Sequence, residues 1–302
     1  MNFILLRFFI SIILISIIFQ FSSAQTDSVK LFRKRKIVLG SVAAVAYTGS
    51  VIGLSNAWYK QYKTEKFHFF NDNSEWLQMD KVGHAYTTYT LGLAGMQTLR
   101  WAGVKEKKAI WLGGFTGTFY LTTIEMFDAY SQNWGFSWGD MGANAAGSLL
   151  VCLQEQFWKE QRLQLKFSFY RTNYPQYRPD LLGNNFSEQV LKDYNGQIYW
   201  LSANVSSFLK KENKFPKWLN IAVGYGADGM TGGMQNIVII DADGNTKDFL
   251  RQRQYYFSLD CDLTKIKTRS KFLKSVFRVI NILKIPAPAL ELTGGKMKLL
   301  VK

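Results

Sequence analysis

The sequence predicts an α+β protein in which an N-terminal membrane-associated bundle of about four helices precedes an antiparallel β-rich region with a basic amphipathic helix. Long uncharged stretches dominate the first half of the chain, and apolar residues alternate with polar ones in the second half. With 302 residues, 47% of them hydrophobic, the chain has ample material for one or two packed domains. We predict a signal peptide at residues 1–24, a helical membrane-associated domain at 37–160 and a β-rich envelope domain at 161–302.

The N-terminal segment has the features of an export signal. Arg7 is the only charge in residues 1–24, residues 8–19 are apolar apart from two serines, and small residues precede Gln25. This pattern is typical of a cleavable Sec-type signal peptide, and an uncleaved membrane anchor is the alternative. No cysteine lies near the predicted cut, so we expect no lipid-modified N-terminus. The segment predicts a membrane-associated protein of the cell envelope.

Composition narrows the classes of partner. Lysine and arginine total 37 against 22 acidic residues, and the formal charge of +15 favours an anionic partner such as membrane lipid or lipopolysaccharide. Export argues against a nucleic acid. The only cysteines are Cys152 and Cys261 and the only histidines are His68 and His84, which excludes a disulfide scaffold and a classical zinc site.

Four uncharged stretches of decreasing length predict the helices of the bundle. Only the first, with 23 residues, is comfortably long enough at about 1.5 Å per residue to cross a hydrocarbon core of about 30 Å. Small residues recur at four-residue spacing, which lets helix backbones approach closely in a membrane bundle. The alternative is a soluble, glycine-rich helical core. The stretches are residues 37–59, 82–99, 109–124 and 141–154, and the small pairs are Gly49 with Gly53, Gly113 with Gly117, and Ala143 with Gly147.

The charges between these stretches conflict with a cleaved signal peptide in a simple inner-membrane protein. If the helices alternate across a membrane, the basic residues at 33–36 and 100–108 fall on one side and the acidic residues at 125–140 on the other. The positive-inside rule places both basic segments in the cytoplasm, whereas cleavage would leave residues 33–36 outside. The sequence therefore does not decide between the inner and the outer membrane.

The second half of the chain reads as antiparallel strands. Leu163, Leu165, Phe167 and Phe169 alternate with polar residues, as in a half-exposed strand. Similar strand candidates number six or so, fewer than the eight of the smallest membrane barrels, so we do not predict a complete barrel. Further strands are predicted at 197–205, 219–225, 236–241 and 255–263, a hairpin at Asp243-Gly244, and tight turns at Asn195-Gly196 and Asp228-Gly229.

A basic amphipathic helix is predicted near the C-terminal end. Apolar residues fall at helical spacing between Phe272 and Leu283, with Lys271, Lys274 and Arg278 off that face. Such a helix can dock on an anionic membrane surface, and the alternative is a helix that covers an open face or end of the β region.

Polar residues at the ends of the predicted helices are candidates for a functional site. They lie at the start of the second stretch, at the end of the third and at the start of the fourth. In a bundle of alternating helices, these three positions are at the same end. Residues spaced i, i+4 share a helix face, so Asp80 and His84 lie within reach of each other. A histidine beside carboxylates can act as general base, proton relay or ligand of a hard metal. The candidate catalytic residues are His84, Asp80 and Glu125, and the candidate ligand-binding residues are Lys81, Asp128, Asp140 and Asn144.

Each of these residues also has a plainer interpretation. Asp80 is well placed as a helix N-cap, and Ser137-x-x-Asp140 resembles a capping box. Lys81 can pair with an acidic residue of the third helix, and His84 can be a hydrogen-bonded packing residue.

Three separated motifs in the first half resemble the pattern of the predicted periplasmic lipoprotein family DUF2279, and they are also similar to VanZ-like membrane proteins, which are associated with glycopeptide resistance. The resemblance covers roughly residues 37–157 and implies candidate positions rather than a reaction. Two departures are the missing lipobox cysteine and the β-rich half outside the family core. The motifs are Asp80-Lys81-x-x-His84, Glu125-x-x-Asp128 and Asp140-x-x-x-Asn144-x-x-Gly147.

Two classes of function fit these observations. In one, the cluster binds or processes a lipid-linked or phosphate-bearing envelope amphiphile. In an enzymatic version, His84 is the acid or base, Asp80 orients it, and Glu125, Asp128 and Asp140 hold a divalent cation or steer the substrate through it. In the other, the protein is a non-catalytic structural or assembly protein of the outer or another envelope membrane. The sequence leaves open the substrate, catalysis, metal binding and the oligomeric state.

Overall fold

The computed structural model describes residues 28–55, 63–210, 212–240 and 246–300. The predicted signal peptide and the Asp243-Gly244 hairpin lie outside these residues. The described chain forms two compact units. The helical unit contains the residues up to Asn71 and Thr87–Glu160, and the sheet unit contains Asp72–Tyr86 and the chain from Gln161 onward.

Five helices form the N-terminal half within the described residues, so the prediction of about four is not confirmed. The third uncharged stretch divides at Phe115, whose ψ of 4° leaves helical geometry after two glycines of low helix propensity. Met79–Trp101 contributes its first eight residues to the sheet unit and the rest to the helical unit. The helices are α1 Ser28–Leu54, α2 Met79–Trp101, α3 Glu106–Gly114, α4 Thr116–Asp128 and α5 Trp138–Trp158.

Glycines bring α2 into backbone contact with α3 and α4. A Cβ on Gly113 would lie 2.4 Å from Met96 Cα, and a Cβ on Gly117 would lie 2.5 Å from Thr88 Cα. Both distances are far below van der Waals contact. The small residues at four-residue spacing in this stretch therefore serve the close approach that the sequence predicts. Gly49, by contrast, has no neighbour within 4 Å of its Cβ position.

We expect Gly117→Ala to lower the free energy of unfolding by about 1–3 kcal/mol, because the added methyl meets backbone atoms that cannot rotate away. Gly142→Ala, at an exposed position of α5, is the matched control, since its Cβ position has no neighbour within 4 Å. Alanine there should raise stability by up to about 1 kcal/mol through helix propensity. Thermal unfolding followed by circular dichroism compares the two, and equal effects would contradict the close packing of α2 on α4.

Among the described residues, Leu31–Gly53 within α1 is the one stretch long and apolar enough to cross a membrane by length and composition. Within the described residues, the other predicted helical stretches are not long and apolar enough to cross a membrane.

The sheet unit is built on an antiparallel sheet of six strands, which lie side by side in the order of their first residues: Leu163, Gln197, Leu219, Gln252, Ala289 and Lys296. The predicted strands from Leu163, Gln197, Leu219 and Tyr255 are confirmed, and Gly229 adopts a φ of +75° at a predicted turn. Asn195-Gly196 instead ends a short 3-10 helix. The strands are β1 Leu163–Phe169, β2 Gln197–Asn204, β3 Leu219–Asp228, β4 Ile239–Ile240, β5 Thr246–Lys247, β6 Gln252–Cys261, β7 Ala289–Thr293 and β8 Lys296–Leu300.

Three helices and an unforeseen hairpin complete this unit. The helices are α6 Pro179–Leu182, α7 Phe186–Lys192 and α8 Lys271–Ile280. The predicted amphipathic helix is thus confirmed as α8, although it ends three residues before Leu283. The hairpin of β7 and β8 was not predicted, and its signal is Gly294-Gly295, both at positive φ as a tight turn requires.

The buried face of the sheet carries many polar residues as well as an apolar cluster. Gln164 and Lys166 of β1 are 5% and 0% exposed, although alternation in a half-exposed strand usually places such residues in solvent. Lys166 Nζ lies 2.8 Å from Asp260 Oδ2 and donates to the Cys261 carbonyl at 2.8 Å. Ser202 Oγ donates to Asp260 Oδ2 at 2.6 Å. The interior of this unit therefore contains a hydrogen-bonded ionic network beside an apolar cluster that includes Ile198, Trp200 and Tyr256.

Candidate functional site

A left-handed turn precedes the first of the candidate residues. Trp76, Leu77 and Gln78 have φ of 48°, 50° and 66°, a region that costs non-glycine residues roughly 1–2 kcal/mol each. The turn is held from several sides: the Trp76 N–H donates to the Gly233 carbonyl at 2.9 Å, and the Tyr225 hydroxyl donates to the Leu77 carbonyl. Strain of this kind persists where the surroundings enforce it, and it often accompanies functional sites.

Asp80 lies in the first turn of α2, immediately after this strained segment, and is the centre of a polar cluster within the sheet unit. Its Oδ1 accepts a hydrogen bond from the Tyr194 hydroxyl at 2.7 Å and lies 3.8 Å from His84 Nε2. Its Oδ2 lies 3.3 Å from Lys81 Nζ, which is also 2.7 Å from Asp72 Oδ2. One carboxylate thus positions a histidine, a lysine and a tyrosine, and we call Asp72, Asp80, Lys81, His84 and Tyr194 the Asp80 cluster.

The electrostatics of the Asp80 cluster favour an ionised Asp80. Burial raises the pKa of its carboxyl, but His84, Lys81 and the hydrogen bond from Tyr194 outweigh burial and hold the pKa below its usual value. The side chains of Asp80, His84 and Lys81 remain 24%, 17% and 13% exposed. Asp80 is therefore ionised at neutral pH, and these three side chains are partly exposed.

Glu75 adds a further carboxylate close by. Burial, together with the charges of Asp72 and Asp80, raises the pKa of Glu75, while Lys81 and Arg251 act in the opposite direction. A Cβ on Gly233 would lie 3.0 Å from Glu75 Cδ, so glycine at this position makes room for the carboxylate. Asp72, Glu75 and Asp80 thus bring three carboxyl groups together beside Lys81, His84 and Arg251.

One of the plainer interpretations changes with the structure. Asp80 is not the N-cap of α2, because the helix begins one residue earlier at Met79. Lys81 pairs with Asp72 and Asp80, which belong to the sheet unit as Lys81 does. The i, i+4 relation of Asp80 and His84 is realised as the sequence predicts.

The helical unit holds the other candidates in a second polar group. Glu125 of α4 is 2% exposed, and its Oε2 accepts the N–H of Ser137 at 3.2 Å. Ser137 is the N-cap of α5 and accepts the N–H of Asp140 at 3.1 Å, so the predicted cap is confirmed. Asp140 is 3% exposed. These contacts join the end of α4 to the start of α5.

Asn144 and Asp128 are placed differently. Asn144 is fully buried on α5, and its carbonyl accepts a hydrogen bond from the Thr118 hydroxyl at 2.8 Å. Asp128 is the last residue of α4 and is half-buried. Because Asp80, Lys81 and His84 belong to one compact unit and these candidates to the other, the convergence of all seven stays a prediction from the sequence.

Sequence reasoning missed three members of this environment. Asp72 and Glu75 lie in the polar segment before α2, where closely spaced acidic residues ahead of Asp80 were an available signal. Tyr194 is 114 residues from Asp80 along the chain, and no local pattern marks it.

Comparison with known proteins gives one finding for this region. No curated protein and no solved structure matches the chain. The family model DUF2279, described as a predicted periplasmic lipoprotein, matches residues 68–156, which include all seven candidates. The resemblance stated from the three motifs is thereby confirmed for this family, while the similarity to VanZ-like proteins stays a prediction. Residues 68–156 are thus similar to the DUF2279 family, and this similarity supports a place for the protein in the cell envelope.

Proposed function

We propose that this cell-envelope protein binds the phosphate-bearing polar head of an envelope amphiphile at the Asp80 cluster. The observation that carries the proposal is the convergence of Lys81, His84 and Tyr194 on one ionised, partly accessible carboxylate after a strained turn. This arrangement places the ammonium group of Lys81, the imidazole of His84 and the hydroxyl of Tyr194 in one small region. Lysine and histidine are suitable contacts for phosphate oxygens.

The grouping of three carboxyl groups, Asp72, Glu75 and Asp80, makes a divalent cation part of the proposal. A phosphate group that approaches Asp72, Glu75 and Asp80 is repelled unless a cation bridges the two sets of oxygens. Hard cations such as Mg²⁺ take carboxylate and phosphate oxygens together. Binding should therefore require Mg²⁺ and be lost in EDTA.

The binding test compares a polyprenyl phosphate with the polyprenol of the same length, each titrated into the full chain in one detergent, with Mg²⁺ or with EDTA. The phosphate form with Mg²⁺ should bind best. We expect His84→Ala to weaken the binding of the phosphate form about tenfold, which corresponds to the loss of one hydrogen bond to a charged group. His68→Ala is the matched control, because His68 lies outside the Asp80 cluster and its Nδ1 is 3.0 Å from the Lys66 carbonyl oxygen. This variant should leave binding unchanged.

Equal affinity for the phosphate and the alcohol would contradict the proposal, as would full binding by His84→Ala. The competing function is that of a non-catalytic structural or assembly protein, which the ion pairs of Lys81 and the cap at Ser137 favour. In that case His84→Ala should lower thermal stability and membrane yield without changing affinity per folded molecule. Release of inorganic phosphate in the same mixture would indicate an enzyme in which His84 is the acid or base.

A further inference from the structure

The six-stranded sheet exposes an apolar face, while its buried face carries charged and polar groups beside an apolar cluster. Its buried face carries the network of Lys166, Asp260 and Ser202, whereas its other face is apolar and exposed. We call the exposed set the apolar sheet face. It consists of Leu201, Ile221, Val223, Tyr255, Phe257, Leu259, Leu290, Leu292, Met297 and Leu299.

The strand register makes this face continuous. Leu201 pairs with Val223, Val223 with Phe257, and Phe257 with Leu290. The row ends with Leu290 paired to Leu299 on β8. If each of the ten side chains exposes about 80 Å², the face is on the order of 800 Å², larger than the roughly 300–600 Å² of the largest patch on a typical soluble monomer.

Part of this side of the sheet is covered, and the remainder is not. Met79, Leu77 and Tyr86, all in the segment Asp72–Tyr86, pack on the end of the sheet near Tyr199 and Tyr225. The exposed ten lie beyond that cover. An apolar face left open while ionic groups are buried is the arrangement of a sheet that faces hydrocarbon rather than water.

The residues along the central strands follow the order expected across a membrane interface. On the exposed side of β6 the order is Arg253, Tyr255, Phe257 and Leu259, from charged through amphipathic aromatic to aliphatic. Exposed Lys217 and Trp218 precede β3, which pairs there with the opposite end of β6. Tyrosine and tryptophan with basic neighbours mark the head-group level of bilayers. The two strands have ten residues each, within the roughly 9–11 that a tilted strand needs to cross hydrocarbon.

We propose that the apolar sheet face lies against the acyl chains of an anionic envelope bilayer, with Arg253 and Lys217 at its head groups. The formal charge of +15 complements such a membrane. This inference is independent of the Asp80 cluster. It concerns the surface that contacts lipid, and it holds whether or not a phosphate-bearing head binds elsewhere.

The test places a nitroxide label on the face and measures which relaxation agent reaches it. The background carries Cys261→Ser. Cys152 is left in place because it is buried and burial raises the pKa of its thiol to about 11. Val223→Cys and Phe257→Cys are labelled in the full chain, reconstituted in vesicles of phosphatidylethanolamine and phosphatidylglycerol. Lys267→Cys, at an exposed basic position, is the control.

Labels at positions 223 and 257 should be relaxed more by apolar oxygen than by a water-soluble nickel chelate, and the label at 267 should show the reverse. Preferential relaxation by nickel at 223 and 257 would overturn the proposal. Protection from both agents, with spin–spin broadening that disappears on dilution with unlabelled chain, would also overturn it in favour of a second copy. If circular dichroism shows that a labelled chain does not fold, Leu259→Cys and Leu290→Cys report on the same face.

Discussion

Lys166→Met is expected to lower the free energy of unfolding by about 3–5 kcal/mol, because it leaves Asp260 as a buried charge without its closest cation. Both side chains of this pair are 0% exposed, so water cannot replace the lost ammonium group. Lys284 Nζ is 3.9 Å from Asp260 Oδ1 and donates to two backbone carbonyls, which limits how far it can compensate. Chemical denaturation of the purified protein measures the loss.

Two further variants separate the charge effect from the loss of packing. Lys267→Met removes an exposed lysine and should change stability by less than about 0.5 kcal/mol. Lys166→Met combined with Asp260→Leu removes both charges, and such replacements recover much of the loss in other buried pairs. If Lys166→Met costs no more than Lys267→Met, the ionic network does not hold the sheet together as the structure indicates.

The same residues show how much of the fold the sequence could predict. Alternation from Leu163 to Phe169 correctly predicts β1, because successive side chains of a strand point to opposite faces. Alternation gives the period but not which face is buried. A strand usually buries its apolar face. In β1 the polar face is buried instead, because Asp260, distant in sequence, provides a buried partner for Lys166.

The helices, too, could be predicted only in part. Uncharged stretches located α2 and α5, but they did not show that two glycines and the geometry of Phe115 would divide the third stretch into α3 and α4. A missing charge marks a buried or membrane segment, whereas a helix break depends on local φ and ψ and on the neighbours that fill the gap. The paired strands β7 and β8 were not predicted, because each has only five residues.

The candidate site was predictable only where its members are close in sequence. Helical spacing identifies Asp80 and His84 as neighbours, and the structure places their atoms 3.8 Å apart. Tyr194 reaches Asp80 through tertiary structure alone, and the left-handed turn at Trp76 has no sequence signature such as glycine. Local spacing can therefore identify the centre of a cluster, while long-range packing decides what surrounds it.

Asp80→Asn should reduce the affinity for a polyprenyl phosphate in Mg²⁺ by about 10- to 100-fold, corresponding to the loss of one charge-assisted interaction of roughly 1.5–3 kcal/mol. The amide keeps the size of the carboxylate and an oxygen that can accept the Tyr194 hydroxyl. It removes the negative charge that holds Lys81 and orients His84. Binding is measured by the detergent titration described for the phosphate and the alcohol.

Tyr194→Phe is the matched control for Asp80→Asn, because it removes one hydrogen bond to the same oxygen and leaves every charge in place. Its expected cost is about 0.5–1.5 kcal/mol of stability with less than tenfold loss of affinity. If the Asp80 cluster only fixes the start of α2, both variants should lower the melting temperature similarly and bind equally well per folded molecule. A large loss of affinity in Asp80→Asn at unchanged melting temperature would instead show that the charge of Asp80 acts on the ligand. Tyr194→Phe accounts for the effect of the lost hydrogen bond, so that effect cannot explain the difference.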